Sequence, residues 1–280
     1  MHIVLAGGGT AGHIEPALNT ADALRAHDCG ISLSVLGTER GLETTLVPAR
    51  GYALTLIPAV PLPRRVNRDL FTLPSRLRRA VAEVTRHLQQ TNADVVVGFG
   101  GYVALPAYLA ARRAGIPIVV HEANARPGLA NRVGARFAAA VIETVRGSLS
   151  GAETLGLPLR HAISHFDRAT ARAAGLELWQ LADNKPTVLV FGGSQGARHL
   201  NEVVAAAAPE LITAGYQILH SVGRNNSDQL VAGVPGYVTV PYIERMDFAY
   251  GVATVAVTRA GAMTVAELTA VGLPAVYVPL

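Results

Sequence analysis

Ile3-Val4-Leu5-Ala6-Gly7-Gly8-Gly9-Thr10-Ala11-Gly12-His13 and, half a chain later, Thr187-Val188-Leu189-Val190-Phe191-Gly192-Gly193-Ser194-Gln195-Gly196-Ala197 are the two stretches that decide the fold. Each is a short apolar run that breaks into glycines where a strand should hand over to a helix. Glycine lets the backbone turn tightly and approach a ligand closely. The helix that follows offers unpaired N–H groups and a partial positive charge, so each turn is a plausible cradle for phosphate or a developing oxyanion. Two cradles suggest two facing domains with a ligand between them.

Working outward, β-branched runs alternate with longer amphipathic stretches, the pattern of βα repeats around parallel sheets covered on both faces. The runs predict strands near 3–6, 31–36, 53–57, 95–98, 118–121 and 140–142, with helices such as 13–26 and 74–91 between them. In the first helix Ile14, Ala17, Leu18, Ala21 and Leu24 form one buried stripe, and Pro16 is expected in its first turn. The pattern restarts with strands near 187–191, 216–221, 238–241, 254–257 and 275–278. This predicts an α/β protein with an N-terminal domain over 1–160, a linker over 161–186 and a C-terminal domain over 187–280. A parallel strand normally has a covering helix after it, so the second domain reads as truncated at Leu280.

Composition narrows the function classes. Half of the 280 residues are hydrophobic and 16% are charged, which suits packed domains and excludes a disordered chain. The apolar runs are too short to span a bilayer, and Met1-His2-Ile3-Val4 has no basic leader, so a cytoplasmic protein is expected. The single cysteine, Cys29, offers neither a disulfide framework nor a cysteine metal site. The net charge of +4 is modest, and Lys185 is the only lysine beside the arginines. Arginine favours bidentate phosphate contacts, but biased codon usage in the source genome accounts for most of that excess, so the charge makes only a weak case for anionic ligands.

Gly7, Gly9 and Gly12 satisfy the spacing of a dinucleotide fingerprint, but that pattern needs an acid near the end of the second strand, and Glu39 falls late for it. His13 closes the first turn, where the helix dipole disfavours an imidazolium; a neutral ring could take a proton from a hydroxyl, or simply fill a helix start. Glu122 and Asn124 follow a strand at the edge where open α/β sheets hold ligands, while His121 reads as packed. Glu267 opens a later helix, where it could accept two hydroxyl hydrogen bonds from a ribose or merely complement the dipole. The stretch 62–74 with Arg64, Arg65, Arg68, Arg76, Arg78 and Arg79 suits an anionic lipid surface or a solvated basic helix equally. Nucleic acid is disfavoured, because aromatic residues make up only 5% of the chain.

As a set, Gly7 to His13, Gly98-Phe99-Gly100-Gly101-Tyr102, His121-Glu122-Ala123-Asn124, Gly192 to Ala197 and Arg259-Ala260-Gly261-Ala262-Met263-Thr264-Val265-Ala266-Glu267 resemble the MurG family of peptidoglycan N-acetylglucosaminyltransferases, in glycosyltransferase family 28. The resemblance runs in order from one end of the chain to the other. It implies a GT-B fold, two Rossmann-like doubly wound parallel-sheet domains facing a cleft. It also implies inverting transfer of N-acetylglucosamine from UDP-N-acetylglucosamine to the muramic acid 4-hydroxyl of undecaprenyl-linked lipid I, giving lipid II. No cofactor and no metal are implied. Peptidoglycan synthesis would place the protein peripherally on the cytoplasmic face of the cell membrane, against an anionic surface and near cell-wall and division proteins.

Carried over residue by residue, the resemblance makes His13 the base, with Glu122 as the second choice. It puts Thr10, Ala11 and Gly12 at the first turn, Asn124 near the sugar, Arg160 and Ser194 near nucleotide or phosphate, and Ile243 against uracil through its backbone. Ala262, Met263, Thr264, Val265, Ala266 and Glu267 would surround ribose and sugar. Ala11, Ala123, Leu157 and Ala260 stand where the family usually has Gly, Gln, Asn and Ser, which bears on fine substrate contacts more than on fold. The alternatives are another GT-B nucleotide-sugar transferase and a dinucleotide-binding protein without transfer activity.

Overall fold

The structure, a computed structural model, describes residues 1–39, 41–60, 69–193 and 196–279. The chain divides into two compact units, 1–158 and 159–280.

Unit 1 runs β1 (His2–Gly7), α1 (Ala11–His27), β2 (Ser32–Gly37), α2 (Glu43–Ala49), β3 (Ala53–Leu56), α3 (Asp69–Thr91), β4 (Val95–Gly100), α4 (Ala104–Ala114), β5 (Ile118–Glu122), α5 (Leu129–Gly134), β6 (Ala140–Glu143) and β7 (Glu153–Thr154). Its strands pair in the order β3-β2-β1-β4-β5-β6-β7, every pair parallel. Side chains alternate across a strand, and β1 shows the consequence. Ile3 and Leu5 pack with Ile14 and Leu18 of α1, while Val4 and Ala6 pack with Val84 of α3 and Tyr108 of α4. One apolar strand thus feeds two cores, which is why the run 3–6 carries no polar residue.

The start of α1 at Ala11 places Pro16 in the second turn and not, as expected, in the first. Lacking an N–H, Pro16 cannot bond the Gly12 carbonyl, and one turn on Thr20 Oγ1 donates to the Pro16 carbonyl at 2.8 Å.

Unit 2 runs α6 (His161–Ser164), α7 (Arg168–Trp179), β8 (Thr187–Phe191), α8 (Arg198–Thr213), β9 (Gln217–Ser221), β10 (Tyr237–Val240), α9 (Met246–Val252), β11 (Val255–Arg259), α10 (Ala262–Ala270) and β12 (Ala275–Val278). Its parallel sheet has the order β10-β9-β8-β11-β12. Residues 161–186, expected as a linker, instead carry α6 and α7 and belong to this unit. Asp167 caps α7 by accepting from the Ala169 and Thr170 N–H groups. The helix then lies so close to α9 that a Cβ on Gly175 would come within 2.7 Å of Val252 Cγ1, and one on Gly251 within 2.6 Å of the Ala171 backbone. Small residues set this packing, so the segment lacks the strong apolar period that reveals other helices.

Among the described residues no helix is long and apolar enough to cross a membrane.

Candidate active site

Both sheets reverse their strand order beside the strand that carries a glycine turn. In unit 1 the reversal falls between β1 and β4, and in unit 2 between β8 and β11. Open doubly wound sheets bind ligands at such switch points, beyond the carboxyl ends of the strands.

In unit 1 the turn after β1 meets the turn after β4. A Cβ on Gly101 would collide with the Gly8 carbonyl, so glycine there lets the two turns touch backbone to backbone, and a Cβ on Gly7 would collide with the His13 carbonyl, so glycine there lets the first turn of α1 close on the end of β1. Gly100 has φ +94° and lies under the His13 ring, whose Cε1 and Nδ1 would be 3.1 Å from a Cβ there. His13 Nδ1 is 2.8 Å from the Phe99 carbonyl oxygen. A carbonyl only accepts, so Nδ1 carries the hydrogen, and in the tautomer this contact selects Nε2 keeps its lone pair. Half-buried at the third position of α1, His13 therefore offers a nitrogen able to take a proton.

Thr10 is the exposed N-cap of α1, and its carbonyl accepts from the His13 and Ile14 N–H groups at 3.1 and 3.2 Å. Its hydroxyl makes no capping bond, and the first turn, which holds Ala11 and exposed Gly12, contains no acid.

Glu122 is placed differently from the second base that the sequence suggested. It is 1% exposed, and its Oε1 accepts from the Asn124 N–H at 2.9 Å and Asn124 Nδ2 at 3.0 Å. Its Oε2 accepts from the Gly128 N–H at 3.0 Å and Asn131 Nδ2 at 2.9 Å. A carboxylate already bonded by these donors organises the loop 123–128 and has little lone-pair capacity for a substrate proton. Asn131 Nδ2 also donates to the His121 carbonyl, and its Oδ1 accepts from Tyr108 OH at 2.8 Å, so the amide orientation is forced. Asn124, exposed and tethered to Glu122, projects from this loop. His121 is a packed residue: Nε2 donates to the Gly156 carbonyl at 2.9 Å, the ring lies 5.5 Å from that of Phe99, and burial pushes its pKa down.

In unit 2 the turn after β8 leads into α8, whose N-cap is Ala197 and whose first turn holds no acid. Gly193 and Gly196 have φ of +87° and +75°, and the Gly196 N–H donates to the Gly193 carbonyl at 3.0 Å. Ser194 lies outside the described residues. A Cβ on Gly196 would collide with the Val222 carbonyl, so the turn rests on the loop after β9. That loop is held from below: Asn201 Nδ2 donates to the Val222 carbonyl at 2.8 Å, which leaves Asn201 Oδ1 to accept from His220 Nε2 at 3.1 Å. His220 Nδ1 then accepts from Tyr237 OH at 2.8 Å, and burial pushes the histidine down to about 4.

After β11, Gly261 caps α10, and Ala262, Met263, Thr264, Val265 and Ala266 form its first turns with no acid at the start. Val265 is exposed and the others are half-buried. Glu267 is 6% exposed, and its Oε2 accepts from Tyr250 OH at 2.7 Å. Burial, then the Glu267 charge, push the Tyr250 phenol far up, and Arg160 opposes that rise, which places its cation in the same neighbourhood. Arg160 is half-buried at the N-cap of α6. Ile243 buries its side chain in the core with Tyr250 and Leu268, and among the described residues nothing hydrogen-bonds its backbone groups.

The structure thus gathers His13, Thr10, Gly12, Glu122 and Asn124 at the switch point of unit 1, and Arg160, Ile243 and Glu267 in unit 2. Sequence reasoning missed Asn131, Tyr108, Asn201, His220 and Tyr250, which hold these groups, and Glu43 behind the first turn. For Glu43 a signal existed: an acid two residues after Gly41, set among the apolar Leu42, Leu46 and Val47.

Two doubly wound parallel domains, each with a glycine turn at its switch point, are the architecture of the GT-B fold class. Residues 3–143 match the model of the glycosyltransferase family 28 N-terminal domain, and residues 187–280 that of the family 28 C-terminal domain. The chain belongs to glycosyltransferase family 28. It is 60% identical over 284 residues to the UDP-N-acetylglucosamine--N-acetylmuramyl-(pentapeptide) pyrophosphoryl-undecaprenol N-acetylglucosamine transferase of Streptomyces avermitilis, covering 100% of this chain and 78% of that relative. It is 58% identical to the transferase of the same name from a Mycobacterium species, over 99% of this chain and 76% of the relative. The solved Acinetobacter baumannii MurG superposes with a TM-score of 0.73 at 30% identity, over 100% of this chain and 78% of that one. The calicheamicin glycosyltransferase CalG4, at 17% identity and a TM-score of 0.66, shares the fold.

Proposed function

We propose that this protein moves N-acetylglucosamine from UDP-N-acetylglucosamine to the 4-hydroxyl of N-acetylmuramyl-(pentapeptide)-pyrophosphoryl-undecaprenol, with inversion at the anomeric carbon. The substrates are those in the names of the relatives at 58–60% identity. The chemistry rests on one observation: the Phe99 carbonyl takes the Nδ1 hydrogen of His13 and leaves Nε2 as the acceptor.

In this account the acceptor hydroxyl gives its proton to His13 Nε2 as its oxygen bonds to the anomeric carbon. The bond from that carbon to the UDP oxygen breaks on the opposite face, so the new linkage is β. Charge gathers on the departing diphosphate, where the acid-free N-terminus of α8 and the Arg160 guanidinium stabilise it. Glu267, steadied by Tyr250, accepts from ribose hydroxyls. Ile243 offers its backbone to uracil, Asn124 lies near the sugar, and Ser194 and the stretch Ala262–Ala266 complete the donor site. Glu122 acts through the 123–128 loop and is a positioning residue.

The work would take place at the cytoplasmic membrane surface, among other cell-wall and division proteins. Exposed Arg78 and Arg86 of α3 line a shallow groove with Arg113 of α4, as a surface for anionic headgroups would. Arg64, Arg65 and Arg68, also expected in this role, lie outside the described residues.

Isothermal titration tests the donor assignment. UDP-N-acetylglucosamine should bind with one equivalent and NAD should not; NAD binding without UDP-sugar binding overturns it in favour of a dinucleotide protein.

A further inference from the structure

Among the described residues the chain passes from unit 1 to unit 2 once, between Pro158 and Leu159. The stretch that leads there follows β7 and is tied to unit 1 at three points. The Leu155 N–H donates to the Glu143 carbonyl at 3.2 Å, the Gly156 carbonyl accepts from His121 Nε2 at 2.9 Å, and the Pro158 carbonyl accepts from Asn19 Nδ2 at 2.9 Å. Leu159, the next residue, already packs against the core of unit 2. A peptide unit is planar, so holding the Pro158 carbonyl also holds the Leu159 nitrogen, and unit 2 departs from there.

Asn19 makes this last tie from the third turn of α1, where it is 2% exposed. Its Oδ1 accepts from Arg50 Nη1 at 2.9 Å. A guanidinium only donates, so the amide has one orientation, with Nδ2 turned to the Pro158 carbonyl. Arg50, the C-cap of α2, is itself clamped on the same face of α1: Nη1 donates to Asp22 Oδ2 at 2.8 Å and Nη2 to Glu15 Oε2 at 2.6 Å. Tyr52 OH steadies Asp22 through Oδ1 at 2.6 Å. The end of α2 therefore aims Asn19 much as the end of β4 aims His13.

We propose that Asn19 anchors the joint between the two units, a positioning residue that fixes the peptide plane from which unit 2 departs, with Arg50 setting its orientation. The proposal rests on reading the reaction as transfer to a hydroxyl activated by His13 from a donor held by unit 2. His13 and Asn19 share one helix, and Arg160, assigned to the departing diphosphate, follows Pro158 by two residues. The anchor thus ties the course of the chain toward the donor site to the helix that carries the base. Misplacing reacting groups by about 1 Å can cost a hundredfold in rate, whereas the proposed donor contacts lie mostly within unit 2. Loss of the anchor should therefore appear in kcat more than in donor affinity.

The test compares the whole chain with its Asn19→Leu and Asn19→Asp variants, which keep the shape of the side chain but cannot donate to Pro158. Spin labels on the exposed Cys29 and on Val203→Cys, exposed on α8, report the distance between the units. With UDP-N-acetylglucosamine bound, both variants should broaden the distance distribution of the parent. Both should also lower kcat about tenfold or more, with the Kd for UDP-N-acetylglucosamine held within about twofold. A merely structural role would reduce the folded fraction and leave the rate per folded molecule unchanged. A distribution as narrow as the parent's, or an unchanged rate per folded molecule, overturns the proposal. Should neither variant fold, the wild type decides: the Asn19 Nδ2 hydrogens should exchange with water about tenfold or more slowly than those of exposed Asn124, and equal exchange overturns the anchor. A wild type that transfers no sugar overturns the reading of the reaction instead, and the distance distributions still decide the anchor.

Discussion

His13 Nδ1 and the Phe99 carbonyl oxygen are 2.8 Å apart, and this contact sets the tautomer of the ring on which the proposed chemistry turns. Phe99 belongs to β4 and His13 to α1, so the base is aimed by the neighbouring strand across the switch point. Replacing the ring removes the proton acceptor without touching unit 2. His13→Ala should lower the catalytic rate by about a hundredfold or more and leave the affinity for UDP-N-acetylglucosamine little changed. An unaffected rate assigns the base elsewhere.

Glu122 accepts its hydrogen bonds from inside the protein, so its loss should show as disorder of a loop. Glu122→Ala should destabilise unit 1 by about 2–4 kcal/mol, the order expected when several bonded donors lose a charged partner. It should also lower the rate while keeping the limb of the pH–rate profile that belongs to the base. If that limb vanishes with Glu122 and persists without His13, their roles are exchanged.

Tyr250 donates to Glu267 Oε2 at 2.7 Å inside the core of unit 2. Tyr250→Phe removes that bond at almost constant volume. It should weaken binding of UDP-N-acetylglucosamine more than that of inorganic pyrophosphate, because the disturbed carboxylate is the one assigned to ribose. Equal weakening of both ligands in calorimetric titrations contradicts that assignment.

His220 gives a pH prediction. Its folded value of about 4 lies below the ordinary 6.5, so between those values the unfolded chain binds the proton more readily than the folded one. The stability it contributes is present above pH 6.5 and lost as pH falls towards 4, by about 3 kcal/mol in all. The urea midpoint of unit 2 should fall over that window more steeply in the wild type than in His220→Gln. Parallel slopes contradict the burial argument.

Neutralising Arg78, Arg86 and Arg113 together should weaken binding to anionic vesicles, and added salt should weaken the wild type in the same way. Salt-independent, unchanged partition in the triple variant dismisses this groove as a docking surface.

The parts of the fold that announced themselves in the sequence were those where burial is one-sided or complete. The run 3–6 reads as a strand because both its faces are covered, and α1 reads as a helix because its stripe meets one core. α7 was hidden because Gly175 and Gly251 pack it on α9 by close approach, which leaves no large apolar period. The site divides along the same line. His13, Asn124, Arg160 and Glu267 stand beside glycine turns and could be found from them. Glu43, Asn131, Asn201 and Tyr250 act from elements distant in sequence, and their partners exist only once the sheets have brought those elements together. Glu122 was visible by position, but its role was not, since only the folded loop shows its donors.

The most direct measurement is transfer itself. The protein is incubated with UDP-N-acetylglucosamine and a lipid I analogue, and the linkage of the product is read by NMR. The account predicts release of UDP and a β-1,4-linked disaccharide on the lipid. An α linkage, or transfer from another nucleotide sugar in preference to this one, would contradict it.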